Sequence, residues 1–214
     1  MKSTRLYGEM YNQSIHEPTL RLADEKNAGG GVDFTFDTSD NAWAPKSGGL
    51  YRFEARAIQP QNVTRQGKAS AFIQTEIDLR QYIYLPKWGS VLALRAFAGT
   101  TFNEPSYLYE YRLGGDFVRG FYSNRFRDDS VAVVQTEVRF PIWDRAHMGG
   151  VAFTDIGAVS ERLNNLGKAA SPFHPGYGAG LRFGLPPDFD MKVRLDFGVS
   201  ADQTAFRVSF GEVF

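Results

Sequence analysis

The 214-residue chain carries 24 basic and 24 acidic side chains, so its formal net charge is zero. With no net field to attract nucleic acid or an acidic lipid surface, no nucleic-acid partner is expected. Cysteine is absent, which excludes disulfides, thiolate catalysis and cysteine-ligated zinc. No apolar run reaches the ~18 residues of a transmembrane helix, yet 22 glycines, 18 phenylalanines and 10 tyrosines suit a protein of many strands and turns.

The opening Met1-Lys2-Ser3-Thr4-Arg5 is basic, but Tyr7-Gly8-Glu9-Met10-Tyr11-Asn12-Gln13 stands where the apolar core of a secretion signal belongs. A location outside the cytoplasm therefore predicts further sequence upstream. Period-two alternation begins at Val32 to Asp37. It returns in Tyr51, Phe53, Ala55 and Ala57 against Arg52, Glu54 and Arg56, and again in Ile73, Thr75, Ile77 and Leu79 against Gln74, Glu76, Asp78 and Arg80. Similar stretches run through Leu92 to Ala98, Ala132 to Ile142, Tyr177 to Leu185, Met191 to Val199 and Phe206 to Phe214. Roughly ten strands result, each with a charged and an apolar face.

Alternation alone fits a soluble sandwich as well as a membrane barrel. The connections separate the two. Tight turns at Pro86-Lys87-Trp88-Gly89, Trp143-Asp144-Arg145 and Pro186-Pro187-Asp188 alternate with mostly longer polar loops, which is the outer-membrane pattern. Tyr82, Tyr84, Trp88, Phe140, Trp143, Phe183 and Phe214 fall near the short-turn ends, where an interfacial aromatic girdle would sit. Aromatics favour strands in any case. His16, His147 and His174 lack paired ligand spacing, so no metal is expected. The run Gly176-Tyr177-Gly178-Ala179-Gly180 precedes no helix and is read as strand packing, not a phosphate loop. Glu76 and Asp78 share a face but have no recognisable acid–base partner, and no enzymatic role is expected.

The longest connection, Thr101 to Asp129, contains Leu113-Gly114-Gly115 followed by Val118-Arg119-Gly120-Phe121. A loop of this size is usually functional or disordered. The motif resembles the BamA/TamA superfamily of outer-membrane barrels, the bacterial surface antigens, whose sixth extracellular loop carries Gly-Gly and then Val-Arg-Gly-Phe/Tyr. Phe153-Thr154-Asp155-Ile156-Gly157 resembles that family's aromatic-x-Asp-x-Gly motif. Asp37-Thr38-Ser39-Asp40-Asn41 with Pro45 and Gly48-Gly49 resembles the turn before one of its strands, with Ser39 in place of the common Arg. Phe206, Val208, Phe210 and Phe214 resemble the C-terminal signal by which such barrels are recognised for assembly, although Glu212 interrupts that apolar face.

The resemblance implies an all-β, antiparallel transmembrane barrel in the bacterial outer membrane. About ten strands would be present, as the C-terminal part of a sixteen-stranded barrel, with residues 1–214 forming one barrel domain that lacks the periplasmic docking repeats. Its function would be to assist insertion or translocation of client polypeptides through a seam or gated lumen, without cofactor, metal or covalent catalysis. Outer-membrane lipid, clients and assembly-machinery subunits would be its partners. A passive structural or pore-forming barrel and a soluble carbohydrate-binding sandwich are the alternatives.

Alternation sends Glu137 and Asp155 to the lumen face. From the residues alone, Arg119 is a solvated loop arginine and the carboxylates make the lumen polar. With the resemblance, Arg119 is expected to dock against Glu137 and Asp155, near Gly157, while Gly114, Gly115 and Gly120 let the loop approach the wall. A ten-stranded closed barrel lined by Arg52, Arg56, Glu76, Arg80, Arg95, Glu137 and Arg194 has little space left for that loop, which favours the wider barrel.

Overall fold

The computed structural model describes residues 2–13, 25–60, 70–103, 105, 107–168, 170, 172–187 and 189–214. His16 of the sequence reading, and Asp188 of the Pro186-Pro187 turn, lie outside them. Among the described residues twelve strands follow in chain order: β1 (Lys2–Gln13), β2 (Glu25–Asp37), β3 (Gly48–Pro60), β4 (Phe72–Leu85), β5 (Ser90–Phe102), β6 (Tyr111–Leu113), β7 (Phe126–Asp128), β8 (Ser130–Trp143), β9 (Met148–Ser160), β10 (His174–Gly184), β11 (Lys192–Ser200) and β12 (Thr204–Phe210). Ten of them form one sheet in the order β1-β2-β3-β4-β5-β8-β9-β10-β11-β12, and β6 pairs with β7 inside the long loop. Every ladder is antiparallel. No ladder joins β1 to β12 among the described residues, so the architecture is a partial barrel that is not closed.

Period two places the side chains as the physics of the pleat requires. On β4, Ile73, Ile77, Leu79 and Ile83 are exposed on the outer face, whereas Gln74 and Asp78 are buried on the inner one. On β8 the outer face carries Val134, Val138 and Phe140, and the inner face Gln135, Glu137 and Arg139. A soluble fold would bury the first set and solvate the second; this sheet does the reverse, as a bilayer-facing wall does.

The inner space is layered along the strands. At the long-loop end Phe97, Val131 and Val133 pack against Tyr111, Leu113, Val118 and Phe121 of the loop. Charged residues fill the middle. At the short-turn end Tyr82, Val91 and Ala93 enclose Phe214. Tight 3-10 turns at Pro86–Trp88 and Asp144–Ala146 close that end, each finishing on a left-handed residue, Gly89 (φ 58°) and His147 (φ 48°).

Two sequence expectations are corrected. Tyr82 is not a girdle residue: it shares the inner face with Asp78 and Arg80 and is buried. Phe214 does not continue the outer face of the last strand, because β12 stops at Phe210. Gly211 takes φ 78°, its N–H donates to the Lys192 carbonyl at 2.8 Å, and the chain turns inward so that Glu212 and Phe214 lie inside. The long loop lies against a ten-stranded sheet that is not closed, in accord with the expectation of part of a wider barrel. The open sheet provides a concave surface without the fixed circumference that closure would impose.

Candidate functional site

The site is assembled on the inner faces of β8 and β9, the central pair of the charged layer. Their register sets Gln135 opposite Asp155 and Glu137 opposite Phe153, so the two carboxylates lie on neighbouring strands and on the same face. Both side chains are fully buried. Two carboxylates taken out of water together need a cation and several donors, or their burial is strongly unfavourable.

Arg119 supplies them from the long loop. Its backbone N–H and its Nε donate to Asp155 Oδ2 at 3.0 and 2.7 Å, and Nη2 donates to Asp155 Oδ1 at 2.7 Å. Nη1 donates to Glu137 Oε1. The two-pronged contact with Asp155 uses the planar fork of a guanidinium, which an ammonium lacks. The guanidinium carbon also lies 3.6 Å from the centre of the Phe153 ring, adding a cation–π contact on the face left open by the carboxylates. Arg119 is 3% exposed; its charge is entirely compensated by protein.

The surrounding groups complete the network. Gln135 Nε2 donates to the Asp116 carbonyl at 2.7 Å and to Asp155 Oδ1 at 3.4 Å. Arg139 Nε donates to Glu137 Oε2 at 2.9 Å, and its Nη2 to the Phe214 carbonyl at 2.8 Å. Next to them Arg182 joins Asp196 (2.6 Å) and Glu212 (2.7 Å), and Arg194 joins Asp116 (2.7 Å). A continuous ionic layer thus runs from β8 to the segment after β12.

Close backbone approach requires the glycines. Gly120 has φ 104°, a conformation L side chains rarely adopt, and a Cβ there would lie 2.8 Å from the Val199 carbonyl. From the wall side, a Cβ on Gly198 would meet Gly120 N at 2.5 Å and Arg119 C at 2.9 Å. Gly157 makes room in the same way for Leu113 and Val118 of the loop. Val118 is buried against the wall, and Phe121 packs on Phe126 and His174. Gly115 N–H donates to the Phe121 carbonyl at 3.1 Å, closing the segment that carries Arg119.

The structure therefore brings Gly114, Gly115, Val118, Arg119, Gly120 and Phe121 together with Glu137, Asp155 and Gly157. It does not bring the C-terminal residues together. Phe206, Val208 and Phe210 are exposed on the outer face of the edge strand, and Phe214 lies inside at the opposite end of the charged layer. Sequence reasoning overlooked Gln135, Arg139, Phe153, Arg182 and Asp196 as members of the network. Parity sets Gln135 and Arg139 on the lumen face, each two residues from Glu137, but it does not show which groups they touch. His147 and His174 stack on Phe189 and Phe126.

A search of curated proteins finds no match to the chain. The family model described as the Omp85 superfamily domain matches residues 7–214. This is a family of bacterial outer-membrane assembly and secretion proteins whose members are non-catalytic, and it accords with the BamA/TamA-type motifs. With nearly its whole length covered by that match and its strands forming an antiparallel partial barrel, the chain belongs to the Omp85 superfamily.

Proposed function

We propose that residues 1–214 act as one outer-membrane barrel domain that assists insertion or translocation of client polypeptides without covalent catalysis. The observation that carries the reading is the edge strand β12. It pairs with β11 alone among the described residues and shows Phe206, Val208 and Phe210 on its outer face. Unpaired N–H and C=O groups on such an edge can template an incoming strand, and its apolar outer face suits a client strand entering lipid.

In this reading the Arg119 network is structural machinery. It holds the long loop against the wall and leaves the inner space filled, so the inner face acts as a scaffold while the edge does the work. Phe206, Val208 and Phe210 belong to that edge. Phe214 is a lock at its base, tied through Arg139. Outer-membrane lipid would cover the apolar face, and assembly-machinery subunits would meet the short-turn end. No cofactor or metal enters the mechanism.

The test is a folding assay. Proteoliposomes containing the full chain should speed folding of a urea-denatured outer-membrane barrel client relative to protein-free liposomes of the same lipid. An equal client folding rate in both, with the chain itself correctly folded, overturns the assisting role and leaves a passive structural barrel.

A further inference from the structure

The long loop does more than reach the wall that holds Arg119; it also grips the last hairpin. Ser200 Oγ donates to the Gly120 carbonyl at 3.2 Å, and Tyr122 N–H donates to Gln203 Oε1 at 3.1 Å. Asp116 accepts from buried Arg194 of β11 at 2.7 Å and lies 3.7 Å from Arg207 of β12. Arg207 Nη2 also donates to Ser123 Oγ at 3.1 Å. These contacts join residues about eighty positions apart in the chain.

We propose that the loop is a brace that positions the edge hairpin β11–β12, with Asp116 and Arg207 as its positioning residues. β12 is seven residues long and has one strand neighbour among the described residues. Such a strand is held weakly by its own ladder, and its local opening is governed by whatever further contacts it makes. Here those contacts come from the loop, which is itself pinned at its far side by Asp155 and Glu137. Docking of Arg119 and availability of the β12 edge are therefore two ends of one element.

A consequence for clients rests on the function proposed above. A strand that pairs with β12 and draws it from the loop must weaken loop docking, and loosening the loop must favour that pairing by the same factor, since coupling of two binding equilibria is reciprocal. The arginine that anchors the loop would thus control the edge from across the inner space.

Hydrogen exchange of the refolded full chain in detergent micelles provides the test, read on fragments spanning 204–210 and 115–121. Asp116→Asn and Arg207→Gln should each speed exchange in 204–210 by about two- to fivefold, the order expected when a partly exposed ionic contact restrains a local opening. Protection of 115–121 should persist, because Arg119 keeps both carboxylates, and Arg207→Lys should restore part of the protection. Ser123→Ala removes only the hydroxyl partner of Arg207 and serves if Asp116→Asn fails to fold; it should give about a twofold increase. Unchanged exchange in 204–210 for the folded variants overturns the brace, whatever the client assay shows. Faster exchange with an unaltered client folding rate in liposomes upholds the brace and overturns the edge-templating part of the proposed function.

Discussion

Two stretches of the inner wall carry the same kind of charge ladder and differ in what lies over them. On β2–β4, Arg52 bridges Asp33 and Glu54, and Arg56 reaches Glu76. On β8–β9, Glu137 and Asp155 meet Arg119 and Arg139. The Arg52 side chain is 46% exposed, whereas that of Arg119 is 2% exposed and both its carboxylate partners are fully buried. Residue types and alternation are alike in the two regions. The loop seals the second region, whereas it touches the first at its margin, where Tyr111 Oη donates to Glu76 Oε1 at 3.2 Å, and Arg52 keeps contact with solvent; the dielectric in which each arginine operates differs accordingly.

That contrast predicts its largest effect at the covered site. Arg119→Ala leaves two buried carboxylates without their main cation and should destabilise the folded barrel by about 3–5 kcal/mol, read as lost heat resistance in detergent. Arg119→Lys should recover only part. In a double-mutant cycle Arg119 and Asp155 should show strong coupling; additivity within about 0.5 kcal/mol would make Arg119 an independent loop residue.

Displacing the cover without touching any charge sharpens the same comparison. Gly198→Ala drives a methyl group into the backbone of Arg119 and Gly120 and should destabilise by about 1–3 kcal/mol. It should also make the loop protease-accessible. Loss of stability with the loop still protected would mean that the strand, not the docking, suffers.

At the more open ladder, Arg52→Gln should change stability by no more than about 1 kcal/mol, because the half-exposed Arg52 guanidinium is screened by solvent and salt and Arg56 remains beside the buried Glu54. The small effect should shrink further at high salt. A penalty equal to that of Arg119→Ala would erase the distinction between the regions.

The smallest effect belongs to the short-turn end, outside both ladders. Asp40 is partly desolvated, which raises its pKa, but backbone N–H groups of Lys46 and Ser47 donate to its carboxylate and hold the net value below the usual range. A group whose pKa is lowered by folding contributes its stabilisation above the ordinary carboxylate value and loses it as pH falls through the depressed one. The turn at residues 38–47 should therefore tighten above that value and loosen only in strong acid. A titration of Asp40 in the folded chain with its midpoint at or above the ordinary value would contradict this.

Much of the wall is legible in the amino-acid sequence because a strand has period two: each side chain is committed to one face, and charge marks the face that is not in lipid. Glu137, Asp155 and Arg194 receive their side by parity, and the resemblance in the loop motif indicates which arginine should seek them. Girdle placement is less secure from sequence, as Tyr82 shows. An aromatic near a strand end is a bilayer anchor or an interior residue depending on parity, and nearness to a turn does not distinguish them.

What only the tertiary structure decided are the contacts between segments remote in the chain. The inward turn at Gly211 carries Glu212 to Arg182 and Phe214 to Tyr82, where strand alternation extended to the last residue would have kept Phe214 on the outer face. The grip of Asp116, Gly120 and Ser123 on the final hairpin has no signature in local pattern either. Periodicity fixes the face a side chain takes from its own neighbours, whereas the curvature of an open sheet and the path of a long loop determine which distant groups share that face.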